Sequence, residues 1–275
     1  MSTVAARTED LFAANRAEGR VALTVATDRG VSRRRSVAER GSLRVRFPGA
    51  AARELEAMLV NTAGGMAGGD RFAVELAAGA GAALMVGTAA AEKVYRSHGP
   101  ATEVAVTLDL AAGATLRWLP QETILFDHAR LSRRIDVAMA EGASLVLAEA
   151  VVLGRSAMGE RVERGELIDS WRVRVGGRLV FAESLRLTER IADMLAAPAA
   201  AAGGCAFATV LIVPGAERHA DAVREREFVG EVGISAWNGI AVARLVAPDG
   251  ATLRRDLATV LAALDTGSPP RLWLN

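Results

Sequence analysis

The sequence predicts a mainly β fold of stacked, solenoid-like (helical β) sheets, with two α-helices in the C-terminal third. Apolar and polar residues alternate with period two along much of the first two thirds of the chain, as in strands with one buried face. The form Gly-Ala-x-Leu occurs at Gly81-Ala82-Ala83-Leu84, Gly113-Ala114-Thr115-Leu116 and Gly142-Ala143-Ser144-Leu145, at intervals of 32 and 29 residues. Each copy closes one alternating run and opens another, and turns at a near-constant interval mark a stacked repeat. Helical spacing takes over late, in the charged stretch 217–229 and over Leu253, Leu257, Val260, Leu261 and Leu264.

Residues 1–18 lack periodicity and are expected to form an arm or a short helix. Val21, Leu23 and Val25 begin the first strand, Asp28-Arg29-Gly30 turns it, and Val31 to Val37 returns. Arg33-Arg34-Arg35 on that return strand reads as a solvated edge in preference to a phosphate site. Leu43, Val45 and Phe47 alternate until Pro48-Gly49, and Phe72, Val74 and Leu76 follow the glycine-rich stretch 61–70. Val104 to Leu110, then Ile135, Val137 and Met139, then Trp171 to Val175, and Leu179 to Leu187 repeat the pattern. Past residue 187 the texture becomes mixed α/β. Phe207 to Val213 is a strand ended by Pro214-Gly215, and Asn238-Gly239 marks a hairpin. The copy Gly250-Ala251-Thr252-Leu253 is a helix start capped by Asp249, not a turn. The tail from Pro269 to Asn275 is expected to be extended. All 275 residues are read as a single domain.

Hydrophobic residues make up 51% and aromatics only 4%, so the core must be built from Ala, Val and Leu. A net charge of +1 offers no general excess with which to displace counterions from a nucleic acid. One cysteine, Cys205, precludes an internal disulfide and suits a reducing compartment. The N-terminus has no apolar segment of the signal-peptide kind. The uncharged run 194–216 is broken by Pro198, Gly203 and Gly204, which argues against a membrane span. A cytoplasmic protein is expected.

The sequence holds little catalytic chemistry. Gly64, Gly65, Gly68 and Gly69 resemble a phosphate loop, but Asp70 and then a strand follow where Gly-Lys-Ser/Thr or a helix is required. His98, His128 and His219 have no metal-ligand spacing. Asp127-His128 is a candidate acid–base pair, but neighbours on a strand point to opposite faces, which counts against it. The carboxylates of Glu92, Glu122, Asp127, Glu149 and Glu160 lie in or beside apolar segments. Burying an unpaired carboxylate is costly, so these acids are expected either to pair with Lys93, Arg96, Arg130 or Arg155 or to line a wet path. With Asp70 they are the candidate residues of a path for a divalent cation. Oxygen ligands hold a borderline ion such as Ni²⁺ loosely, which favours transient passage over tight binding.

Four blocks then carry a resemblance. They are Asn61-Thr62-Ala63-Gly64-Gly65-Met66-Ala67-Gly68-Gly69-Asp70, Ala91-Glu92-Lys93-Val94-Tyr95-Arg96-Ser97, Trp118-Leu119-Pro120-Gln121-Glu122-Thr123-Ile124-Leu125-Phe126-Asp127, and Leu153-Gly154-Arg155-Ser156-Ala157-Met158-Gly159-Glu160. In content and order they resemble the signature blocks of the UreD (UreH) urease accessory proteins, as does the ending Pro270-Arg271-Leu272-Trp273. Two positions depart: His128 stands where that family usually has a small residue such as glycine, and Gly87 where a hydroxyl residue is common.

The resemblance implies a non-enzymatic protein of stacked β-sheets that joins apo-urease to UreF and UreG during assembly of the nickel metallocentre. It also implies that nickel passes through the protein. Family-motif residues Gly64, Gly65, Gly68, Gly69, Lys93, Tyr95, Arg96, Gln121 and Arg155 are carried over on that basis. The helices near 217–229 and 250–264, with Trp273 as an aromatic anchor, are the candidate partner surface. Two other readings stand beside this one. One is a hydrolase using Asp127, His128 or Glu122; the other is a purely structural binding module without a metal role.

Overall fold

The computed structural model describes residues 16–49, 52–155, 158–264 and 271–274. A hairpin of β1 (Glu18–Asp28) and β2 (Val31–Gly41) opens one sheet, and β3 (Leu43–Arg46) with β4 (Glu54–Asn61) opens a second. The chain then winds between them. β5 (Arg71–Ala78) leads to β6 (Ala83–Thr88) and β7 (Glu92–Val94), and β8 (Thr102–Leu110) to β9 (Thr115–Trp118) and β10 (Thr123–Leu125). Next, β11 (Arg130–Met139) leads to β12 (Ser144–Leu153), and β13 (Gly165–Val175) turns back as β14 (Arg178–Glu189).

The first sheet runs β14-β13-β11-β8-β5-β1-β2, with parallel pairing from β13 through β1. In the second sheet β12, β9, β6 and β4 are parallel neighbours, and β7 and β10 form a short third face against β12. The result is a β-solenoid of about four turns.

Register explains the interior. Val21, Val74, Val106, Ile135 and Trp171 stand in one row across the first sheet, and Leu55, Leu84, Leu116 and Leu145 in one row across the second. The Gly-Ala-x-Leu copies are the corners between the sheets. Gly81, Gly113 and Gly142 take φ of +67°, +68° and +78°, the left-handed region where a Cβ is penalised. Ala82, Ala114 and Ala143 behind them are buried, and Thr115 and Ser144 donate backbone bonds of 2.8 Å to the alanine one turn earlier.

After the solenoid come α1 (Ile191–Ala196), β15 (Ala206–Val213), α2 (Glu217–Arg224), β16 (Glu231–Trp237), β17 (Ile240–Ala247) and α3 (Gly250–Ala263). β15, β17 and β16 extend the second sheet beyond β12 in antiparallel fashion. α2 and α3 cover its outer face, creating a second apolar layer from Val146, Ala148 and Val210 to Leu253, Leu257 and Val260.

The hairpin at Asn238-Gly239 has both residues left-handed, as a type I′ turn requires. Asp249 caps α3 by accepting from the Thr252 backbone N–H at 2.8 Å. No helix of the described residues is long and apolar enough to cross a membrane.

Several expectations need correction. The helix expected over 217–229 stops at Arg224, because the Val229 and Gly230 N–H groups turn away to bond the Asp256 carboxylate at 3.1 and 2.7 Å. α1 was not anticipated. The tail is not extended over Arg271–Leu274 but forms a 3₁₀ turn. The arm expected over residues 1–18 lies outside the described residues up to residue 15, and by Glu18 the chain is already in β1.

Candidate functional site

The glycine stretch forms one corner of the solenoid. Met66 exchanges backbone bonds with Lys93 and Tyr95 at 2.7 and 2.8 Å, tying the loop to β7. The Tyr95 ring lies where a side chain on Gly65 would have to go, and its hydroxyl donates to the Gly64 carbonyl at 2.7 Å. A Cβ on Gly68 would fall 1.9 Å from the Ser97 hydroxyl, and Gly69 has φ of +89°. Asp70 is held by the backbone of this corner. It is 4% exposed, and its two oxygens accept from the Ala17 and Ala67 N–H groups at 2.8 and 2.7 Å.

The same corner gathers the other motif residues. Tyr95 meets Phe126 edge-on at 5.1 Å, and the Arg155 guanidinium lies 4.1 Å over the Phe126 ring while pairing with Glu160 at 2.7 Å. Asp127 accepts from the backbone N–H of Glu163 and Arg164 and lies 3.6 Å from Arg96.

Asp127 and His128 are not strand neighbours. They sit in a turn, with His128 at φ +64°, and the imidazole Nδ1 is 2.7 Å from Asp127 Oδ2. The left-handed backbone accounts for a position at which glycine is at home. Burial pushes the Asp127 carboxyl up, but the Arg164 N–H, His128 and the Glu163 N–H outweigh it and leave it below the usual range. Among the described residues no hydroxyl or thiol bonds to the His128 ring, so the pair has no visible nucleophile to activate.

From this corner a line of polar side chains enters the solenoid. Asn61 donates to the Gly65 carbonyl and to Glu92 Oε2 at 3.2 and 3.1 Å. Burial pushes the Glu92 carboxyl above its usual range, partly offset by Asn61. Glu92 and Thr123 are register partners on adjacent parallel strands and therefore share a face. The Thr123 hydroxyl accepts from Arg133 at 3.4 Å.

Arg133 grips Asp169, its register partner on β13, through Nε at 3.2 Å and Nη2 at 2.5 Å, and reaches across the interior to Glu149 on the facing sheet. Trp118 and Trp171 donate their indole N–H groups to Glu149 and Asp169 at 2.7 and 3.1 Å. Arg133, Glu149 and Asp169 are 5%, 5% and 6% exposed. Beside them is a cavity of about 10 Å³, roughly one water in size.

Two carboxylates share one guanidinium in this dry interior, so one negative charge is in excess. Burial pushes Glu149 up, Arg133 pulls it down and the Asp169 charge pushes it up again, leaving it at about 7. The Coulombic pull of both acids raises Arg133 and keeps it charged despite its burial.

Glu122 lies elsewhere. It is on the outer face, paired with Arg254 of α3 at 2.8 and 2.5 Å, and Arg254 also reaches the Gln121 side chain at 2.9 Å. Trp273 is 7% exposed, so its ring packs inside the outer layer and does not stand out as a surface anchor; its indole nitrogen has no hydrogen-bond partner among the described residues. The exposed large apolar residues of the C-terminal third include Val229 at 63% and Trp237 at 44%. Among the described residues no group of three or more His, Cys, Asp or Glu is arranged to hold a metal ion.

The sequence offered Lys93, Arg96, Arg130 and Arg155 as partners for the acids without assigning pairs; the structure sets Arg96 beside Asp127 and Arg155 beside Glu160. Sequence reasoning missed Arg133, Asp169 and Arg254. Arg133 is in phase with Leu131, Ile135 and Val137 on the buried face of β11, and Asp169 with Leu167, Trp171 and Val173 on β13. A charge in step with an apolar face was the available signal.

The chain matches the family model described as UreD urease accessory protein over residues 17–274. It is 58% identical over 268 residues to a urease accessory protein UreD of Rhodopseudomonas palustris (strain BisA53), covering 96% of this chain and 93% of that one. It is 56% identical over 271 residues to the protein of the same name from Bradyrhizobium diazoefficiens, covering 98% of each. Solenoid, corner blocks and relatives agree, and the chain belongs to the UreD family of urease accessory proteins.

Proposed function

We propose that the protein is a non-catalytic scaffold of urease metallocentre assembly, a nickel-insertion chaperone that joins apo-urease to UreF and UreG in the cytoplasm. Its solenoid interior gives passage to nickel along the line Asn61–Glu92–Thr123–Arg133–Glu149–Asp169. The observation that carries this reading is the excess of carboxyl groups over basic groups inside an otherwise apolar core. Three carboxylates and one guanidinium lie on that line, and a fold seeking stability alone would do as well with packed hydrocarbon. Oxygen donors in small number hold nickel weakly enough to release it. The cytoplasmic assignment rests on a single cysteine.

A strain lacking the protein should make urease polypeptide that is poor in nickel, and tagged protein should retrieve UreF, UreG and apo-urease together. Fully metallated urease in the deletion strain would refute the reading.

A further inference from the structure

The charge of this chain is unevenly placed. Between residues 29 and 53 eight arginines stand against one acid, Glu39, a net of +7 that leaves −6 for the rest of a chain whose total is +1. The described residues of this stretch form one end of the solenoid, where β2 ends the first sheet and β3 ends the second. Every residue of β2 from Arg33 to Gly41 is exposed, and among the described residues the strand pairs only with β1.

Between the two edges is a groove of about 510 Å³, with Arg34, Arg35 and Arg46 at its rim and Val37, Val45 and Phe47 along it. Val37 is 39% exposed, and the Arg34 guanidinium lies 5.2 Å over the Phe47 ring. Glu39 is already occupied by the Val45 N–H at 2.7 Å and Arg46 at 3.0 Å. Arg33, Arg34 and Arg35 have no carboxylate of the described residues within ion-pair distance.

A few charges on an edge strand are enough to discourage unwanted pairing. A net of +7 confined to one end exceeds that need and carries a cost in self-repulsion. We propose that this end is a docking edge for an extended, acidic segment of a partner protein, which adds to β2 as a further strand. Backbone bonds along the edge would give affinity, carboxylates opposite Arg33, Arg35 and Arg40 would give specificity, and alternate apolar side chains would enter the groove over Val37 and Phe47. A polypeptide suits this geometry better than a nucleic acid, because the site combines an open strand edge with an apolar floor of Val37, Val45 and Phe47.

The test is hydrogen exchange on the full-length chain, alone and with a short blocked peptide of alternating Glu and Val. Controls are the Gln–Val peptide and a short DNA duplex. Backbone amides of residues 33–40 should slow in the presence of the acidic peptide and not with its Gln counterpart. The triple variant Arg33→Glu, Arg35→Glu, Arg40→Glu, all at exposed positions, should keep its melting temperature and lose about tenfold or more in affinity. Unchanged exchange at residues 33–40, or an equal effect of the Gln peptide, would overturn the proposal. Tighter binding of the duplex would reassign the face to nucleic acid. Protection of β2 in the free chain would assign it to another segment of the same protein if independent of concentration, or to a second copy if it rose with concentration.

Discussion

Arg133 and Asp169 face each other across neighbouring strands of the first sheet, and the guanidinium that holds Asp169 also reaches the opposite sheet at Glu149. One side chain thus ties the two walls of the solenoid between Leu131 and Ile135 on the buried face of its strand. Removing it leaves two acids without a counter-charge in the dry interior.

Arg133→Met should therefore destabilise the fold by about 3–5 kcal/mol, the typical result of stripping one partner from a buried ion pair. Adding Glu149→Gln and Asp169→Asn to the same chain should recover a large part of that loss. Urea midpoints of the three proteins check this.

The pH dependence follows from Glu149. Its carboxyl titrates at about 7 in the fold, against roughly 4.3 in an unfolded chain. Between those values the native state keeps a proton that the unfolded state has released, so stability falls as pH rises through this window and levels off above it. Glu149→Gln should flatten the slope. Urea unfolding on either side of the window, for both proteins, gives the comparison.

The outer layer has its own clasp. Glu122 is 7% exposed and its pairing with Arg254 spans 132 residues of sequence. Arg254→Met should cost about 1–3 kcal/mol by leaving that carboxylate buried and unpaired. The double change with Glu122→Gln should cost less than the sum of the two single changes. Chemical denaturation of the four proteins completes the cycle.

His128 holds a left-handed backbone that favours glycine. His128→Gly and His128→Ala both delete the contact with Asp127, but only alanine keeps the strained geometry. The alanine variant should be the less stable of the two by about 1 kcal/mol. Thermal melts distinguish them.

These residues also show what the sequence could and could not convey. The Gly-Ala-x-Leu corners were legible because each feature has a local cause: a left-handed glycine, an alanine too small to obstruct the corner, and a leucine that begins the buried row. The hairpin at Asn238-Gly239 and the cap at Asp249 were legible for the same reason. The interior line was only half legible. Glu92 and Glu149 stood out as acids in apolar segments, yet the reading sorted acids by surroundings in sequence and not by phase. It therefore grouped outward-facing Glu122 with them and passed over Arg133 and Asp169. Arg254 was beyond reach, because no local pattern links a helix residue to a strand end 132 positions earlier. The end of the helix expected over 217–229 was misplaced where a distant carboxylate, Asp256, holds the Val229 and Gly230 backbone.

The central claim is that the acids inside the solenoid carry nickel. Glu149→Gln tests it most directly, because the amide keeps an acceptor for Trp118 and leaves Arg133 paired with Asp169. The measurement is the nickel content of urease matured with this variant, taken alongside co-purification of the variant with its partners. The account predicts normal co-purification and urease depleted of nickel by about tenfold, the scale on which loss of a metal-site partner acts. Urease fully loaded with nickel by Glu149→Gln, or by the double variant with Glu92→Gln, would contradict it.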